Sequence, residues 1–528
     1  MTHEPDTLGA SLYRQARTRP DETFLTFFDG PSLSYAQALD GAQRLARGLA
    51  DLGVGPGERV LLMAPNGPEA VAAWLALGWL GAVEVCLNPV LRGQPLAHAL
   101  SVSEARLALI DPSCLAALAE QDLTAFGIAR VIPTGSADWT ELNAAAPLPE
   151  PARPVRGSDP ASVLFTSGTT GPAKPVILTQ AQNHLTATET ARHLGMTEAD
   201  VSYCFHPLHH MAGKFMALQG TLVAGAQIVM DRRFVPELWS QRLAETGATL
   251  AYGHGPMLEM IHATPPRAED RQHRCRRVLS APFPRHIAED FEARFGVRGQ
   301  ECWGMTEIGI VAWADADTPR GSCGRVGEAF ELAILDPETD TPLPPDTLGE
   351  IAVRPRRPWA LFQGYQAMPE ASVEAWRNLW FHTGDLGRLD AQGNLWFADR
   401  VKDRIRRRAE NISAYEIECV ALAHPAVAEA AAVGVPSGYE GDDDVKLCLI
   451  LRPGAPWQPE ALLAHLAAGL PHFMLPRYLD RREALPRSNT NKVQKAVLRA
   501  EGILPGLWDR HAEGVSVRDL YAKETTPC

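Results

Sequence analysis

Residues 164–174 read LFTSGTTGPAK. An apolar run ends at Phe165, and Thr166, Ser167, Thr169 and Thr170 then crowd around Gly168 and Gly171, with Lys174 last. Glycines let the backbone approach an anion, hydroxyls and N–H groups donate to phosphate oxygens, and the lysine supplies charge. The spacing differs from G-x-x-x-x-G-K-[ST], so the P-loop fold is not implied. A Ser/Thr/Gly-rich surface turn is the plain alternative, and so many specified positions in order weigh against it.

A second chemical feature is RRRAEN, residues 406–411. Arg406, Arg407 and Arg408 follow Arg400, Lys402 and Arg404 in a chain with 63 acidic and 50 basic residues, a net charge of −13. That balance argues against a general polyanion binder, because phosphate-backbone affinity rests on net positive charge; no nucleic-acid partner is expected. Nine cysteines are scattered without a C-x-x-C pair, so neither structural zinc nor a disulfide framework is expected, and a reducing cytoplasm fits. MTHEPDTLGA has no basic start followed by an apolar block, so no signal peptide is expected. The apolar run Val71 to Val83 is too short to span a bilayer and reads as a buried helix running into a strand.

These residues need elements to position them. With 45% apolar and 21% charged residues over 528 positions, the chain is globular and long enough for two or more domains. From about 40 to 400, amphipathic blocks alternate with short β-branched runs, as in AQRLARGLADLG then ERVLLMAP, the signature of a mostly parallel α/β sheet. After Gly364 the pattern becomes short strands with turns, breaking at Gln392-Gly393-Asn394. From about 403 the order is helix AYEIECVALAHP, strand VAEAAAVGVP, strand DVKLCLILRP and helix PEALLAHLAAGL. The expected fold is α/β, with a large N-terminal domain of βα-layered subdomains (1–401), a small mobile α+β C-terminal domain (402–510) and a tail (511–528).

The loop at 164–174 resembles the signature of the adenylate-forming superfamily, which includes acyl-CoA synthetases, peptide-synthetase adenylation domains and luciferases. The resemblance runs in order along essentially the whole chain: PLHHMAG (207–213), WGMTEIG (303–309), GEIAVR (349–354), FHTGD (381–385), DRVKD (399–403) and LPRSNTNKVQK (485–495).

The resemblance implies ATP and Mg²⁺ as cofactors and a small carboxylic acid as substrate. Thr166, Ser167, Gly168, Thr169, Thr170, Gly171 and Lys174 would cradle the β- and γ-phosphates. Thr306 would contact the α-phosphate and Glu307 would hold Mg²⁺, for which a carboxylate is a suitable hard ligand; a helix N-cap pair is the plain reading of Thr-Glu. Trp303 would stack on adenine beside Gly304. Asp385 would accept from both ribose hydroxyls, and Arg400 would reach the ribose or α-phosphate. Lys492 would bridge the carboxylate and α-phosphate; the residue before it, usually Gly in the family, is Asn491. His210 sits where the family places a gate beside the acyl site, and YGHGPM (252–257) and LSAPFP (279–284) fall where it lines the acyl pocket. LSAPFP lacks the usual Gly-Gly before Ala-Pro. Lys402 matches the hinge about which family members rotate the C-terminal domain between half-reactions.

CoA-forming relatives carry Gly-Gly before Glu-Asn in the second-state loop, leaving room for pantetheine. Here those places hold Arg408 and Ala409. Arginine would obstruct a thiol and offers a donor fork suited to a carboxylate. The departure resembles the amide-forming branch, notably the coronafacic acid ligases. The leading expectation is therefore an acid–amino acid ligase acting through acyl-AMP, with an acyl- or aryl-CoA ligase as the alternative. A basic-loop nucleic-acid binder and a non-catalytic scaffold fit less well.

Overall fold

The computed structural model describes residues 3–166, 173–400, 405–407, 410–412, 414–437, 443–470, 472–487, 493–516 and 520. By contacts the chain divides into two units, Met1–Glu331 with Val353–Phe381, and Leu332–Ala352 with His382–Cys528.

The first unit holds two sheets. In one, the strands Val83–Leu87, Arg59–Met63, Leu107–Ile110 and Arg130–Pro133 are parallel neighbours, with Pro160–Phe165 parallel to Val83–Leu87. Pro175–Thr179 and Gly364–Tyr365 extend it antiparallel. In the other, Thr23–Phe27, Gln227–Met230, Val201–Cys204, Leu250–Gly253, Arg277–Ser280 and Arg298–Met305 run parallel. Helices between the strands make this the anticipated βα layering.

The apolar run from Val71 becomes the helix Pro68–Leu80 and the strand Val83–Leu87. Proline opens the helix and Gly81 ends it in the left-handed region at φ 71°, the usual asymmetry of helix ends. Apolar residues all round bury it. At Gly78 a Cβ would lie 2.5 Å from a Leu8 methyl, so a larger residue there would push aside the Leu8 side chain of the crossing helix Leu8–Thr18.

The βα alternation ends earlier than expected. After the helix Ala288–Phe295 the chain forms the antiparallel strands Arg298–Met305, Gly309–Trp313 and Gly324–Val326. The turn between the first two is too short to hold a helix.

In the second unit, 382–389 and 394–400 pair antiparallel around the expected break at Gln392-Gly393-Asn394. The later elements are Ala414–Leu422, Val427–Pro436, Asp443–Leu451 and Pro459–Gly469, in the order the sequence led us to expect. Tyr478–Arg481 and Trp508–Asp509 complete a four-stranded sheet. Val515 and Leu520, in the segment expected to be a tail, pack against its core. Among the described residues no helix is long and apolar enough to cross a membrane.

Candidate active site

The phosphate-loop candidate emerges from the strand Pro160–Phe165 and returns into Pro175–Thr179, with Phe165 opposite Pro175. Its root is closed by the Thr166 N–H donating to the Lys174 carbonyl at 3.0 Å. Ser167, Gly168, Thr169, Thr170 and Gly171 lie outside the described residues.

Lys174 does not stand alone. Its Nζ lies 4.7 Å from the centroid of the Tyr365 ring, close enough for a cation–π attraction. The Tyr365 hydroxyl donates to Glu307 Oε1 at 2.9 Å. Burial, the Glu307 charge and this hydrogen bond all raise the phenol pKa, so Tyr365 remains a donor through the physiological range. A cation, a phenol and a carboxylate are thus chained at the mouth of the loop.

Glu307 is 3% exposed and its main chain is held from two sides. The Gln182 amide donates to the Thr306 and Glu307 carbonyls at 3.3 and 3.0 Å, and the Phe362 N–H donates to the Glu307 carbonyl at 2.9 Å. Gln182 stands in the first turn of the helix Gln180–Leu194, which is capped by Thr179. Thr306 and Glu307 occupy a β-hairpin turn rather than a helix N-cap. Met305 pairs with Gly309, and Gly309 has φ 68°, the left-handed position that closes a three-residue hairpin. At Gly304 a Cβ would lie 2.0 Å from the Gly309 carbonyl oxygen, so the strands approach this closely only because the residue is glycine. Trp303 is 6% exposed in the same strand, opposite Ala312.

Among the described residues no group of three or more His, Cys, Asp or Glu could hold a metal ion. A single buried carboxylate is instead the hard-oxygen donor suited to Mg²⁺, which keeps waters and takes further ligands from substrate phosphates. Glu307 fits that role.

Beside this hairpin, the parallel strands Val201–Cys204, Leu250–Gly253 and Arg277–Ser280 end together, forming the edge where open α/β sheets bind ligands. His210 is exposed on the loop after the first strand, and its Nδ1 accepts from the Ala212 N–H at 3.2 Å. Its ring meets that of His254 edge-on, 5.5 Å between centroids at 84°. His254 in turn lies 4.5 Å from His206. Burial, then His254 and His210, push the His206 pKa well below the ordinary imidazole value. His206 was not singled out from sequence, whereas His254 lies within YGHGPM (252–257), the stretch that the resemblance placed along the acyl pocket.

Behind the loop, Lys214 and Glu84 form an ion pair in the interior, 0% and 1% exposed at their side chains. Burial alone disfavours the lysine charge, but Cys86 and Glu84 outweigh it and hold its pKa above the ordinary value. Burial and this lysine push His209 down to about 4.

In the second unit, Asp385 and Arg400 face each other across the antiparallel pair. The strand residues before Asp385 rest on Glu350, which accepts from the Gly384 N–H at 3.0 Å and is hydrogen-bonded to His382 Nδ1 at 2.9 Å. Asp385 N–H donates to Thr383 Oγ1 at 3.1 Å. Arg406 and Arg407 of RRRAEN form a strand opposite Asn411 and Glu410. Lys402, Arg408, Ala409 and Lys492 lie outside the described residues. The segment that carries Lys492 departs and returns at an antiparallel bridge between Arg487 and Val493.

Sequence reasoning missed Tyr365 and Gln182. Tyr365 is marked in sequence only by a preceding glycine, and Gln182 resembles any polar residue of a first helical turn.

Comparison with known proteins follows the same outline. The AMP-binding enzyme family model matches residues 12–366, and the AMP-binding enzyme C-terminal domain matches 416–492. The crotonobetaine/carnitine–CoA ligase of Salmonella typhimurium is 29% identical over 521 residues, covering 94% of this chain and 100% of that protein. The ATP-bound structure of MatB from Rhodopseudomonas palustris is 26% identical with a TM-score of 0.85, covering 94% of this chain and 99% of that one. A benzoate CoA ligase from Burkholderia xenovorans LB400 is 25% identical with a TM-score of 0.83, covering 93% and 99%. The phosphate-type loop, the Thr306–Glu307 hairpin and the family match over residues 12–366 lead to one conclusion: the chain belongs to the AMP-binding enzymes, the adenylate-forming ligases.

Proposed function

We propose that the protein is an ATP-dependent acid–CoA ligase. It activates a carboxylic acid as an acyl-adenylate with release of pyrophosphate, then passes the acyl group to the thiol of coenzyme A. The observation that carries the first step is the chain Lys174–Tyr365–Glu307 at the root of the Ser/Thr/Gly loop. It joins a cation and a buried carboxylate through one phenol, the kinds of group that charge-stabilised phosphoryl chemistry requires.

In this reading, Thr166, Ser167, Gly168, Thr169, Thr170, Gly171 and Lys174 hold the β- and γ-phosphates, and Thr306 the α-phosphate. Glu307 binds Mg²⁺, which supplies charge neutralisation between the phosphates. Trp303 and Gly304 border the adenine, Asp385 and Arg400 take the ribose, His210 gates the acid, Lys492 balances charge as the acyl-adenylate forms, and Lys402 is the hinge.

The acceptor rests on the relatives, two of which are named as CoA ligases and cover nearly the whole chain. They support a thioester product better than the amide expected from the loop. The amide reading keeps one specific observation, Arg408-Ala409 where glycines were expected. Full-length enzyme given ATP, Mg²⁺ and an acid panel, with either CoA or mixed amino acids, separates the two by product mass. A thioester forming only with CoA is expected, and an amide with no thioester overturns the assignment.

A further inference from the structure

The histidine-bearing edge restricts which acid can lie against it. His210 is exposed, His254 half-buried and His206 1% exposed, so three imidazoles descend as a column from solvent into the protein. Behind His206 the Phe205 ring follows at 4.9 Å, with Tyr203 and Phe234 at 6.0 and 4.8 Å from Phe205. The core beneath is filled by Trp239, Leu258, Phe283 and Phe291. Nε2 of His206 meets no hydrogen-bond partner among the described residues.

An alkyl chain laid along this column would leave the already buried His206 nitrogen without a partner, forgoing the hydrogen bond that a polar substituent could make, and its far end would meet a packed core. A planar ring suits the walls, because aromatic rings favour edge-on and offset contacts at these separations. A hydroxyl or amino group on the far side of that ring would supply the partner His206 lacks. Low basicity keeps the His206 ring neutral near pH 7, so it can pair with such a group as donor or acceptor according to its tautomer.

We propose, resting on the acid-activating reading above, that His206, His210 and His254 wall the acid subsite and select a short aromatic carboxylic acid bearing a hydrogen-bonding ring substituent. Selectivity follows because a site with a buried polar group rejects analogues that leave it unpaired.

The test is direct binding to the full chain by titration calorimetry, using 4-hydroxybenzoate, 4-aminobenzoate, benzoate and octanoate. Wild-type protein should bind at least one substituted benzoate about tenfold more tightly than benzoate, and octanoate most weakly. His206→Leu should erase the advantage of the substituent, while ATP affinity stays unchanged. The less buried His254→Leu should weaken all three aryl acids and leave octanoate unaltered, and it decides the matter should His206→Leu fail to fold. Octanoate binding as tightly as the aryl acids, or an unchanged ranking in the folded variants, overturns the proposal. Pyrophosphate–ATP exchange run in parallel separates the two claims. The expected binding ranking without exchange for any acid would sink the ligase reading and leave the subsite standing.

Discussion

Two loops of the proposed reaction, the Ser/Thr/Gly loop that leads to Lys174 and the segment that holds Lys492, are rooted differently. The 167–172 segment springs from the middle of a sheet. Its flanking strands pair with each other, and Val83–Leu87 and Gly364–Tyr365 pair on either side. The 488–492 segment springs from a single bridge, Arg487 to Val493, supported by the Gln494 N–H donating to the Pro486 carbonyl at 2.8 Å. Side chains supply the rest. Arg487 pairs with Glu429, and Lys446, 0% exposed, donates to the Leu498 and Gly502 carbonyls at 2.8 and 2.7 Å. Lys446 thereby satisfies the end of the helix Lys495–Ala500 that follows the loop, as basic groups at helix C-termini do. The first root is fixed by backbone pairing. The second depends on individual polar side chains.

The contrast makes separable predictions. Beside the sheet-rooted loop, substitutions in the Lys174–Tyr365–Glu307 chain should change chemistry and leave stability nearly intact. Glu307→Gln should lower kcat/KM for adenylation by about 10²–10³-fold, with little change in thermal midpoint. A collapse of the fold instead would show that the buried carboxylate is structural. At the side-chain-rooted loop the balance should reverse. Lys446→Met leaves two helix-end carbonyls unsatisfied in the interior and should destabilise the second unit by about 1–3 kcal/mol, read by urea unfolding. Arg487→Ala should change stability by less than about 1 kcal/mol. Arg487 and Glu429 are 31% and 38% exposed at their side chains, and solvent screens such pairs. Equal effects from the last two would erase the distinction between a buried anchor and a surface one.

The elements whose pattern is local were legible in the sequence. Val427–Pro436 and Pro459–Gly469 could be read because β-branched and apolar periodicity is bounded there by glycine and proline. The early loss of βα alternation after Phe295 was not, because hairpin pairing depends on partners rather than on composition. The site divides the same way. Thr306 and Glu307 stood out as a motif, but the motif did not say that they form a hairpin turn. That geometry depends on Gly304 passing against the Gly309 backbone. Tyr365 lies 58 residues from the carboxylate it binds, and the three histidines meet only because separate parallel strands end at one edge. Spacing along the chain carries no trace of either arrangement.

The central claim is that this site activates an acid with ATP. Exchange of labelled pyrophosphate into ATP by wild-type enzyme, measured with and without an acid panel and with and without Mg²⁺, tests it most directly. The account predicts exchange that requires both an acid and Mg²⁺. Pyrophosphate exchange that is indifferent to added acid, or none with any acid in the panel, would contradict it.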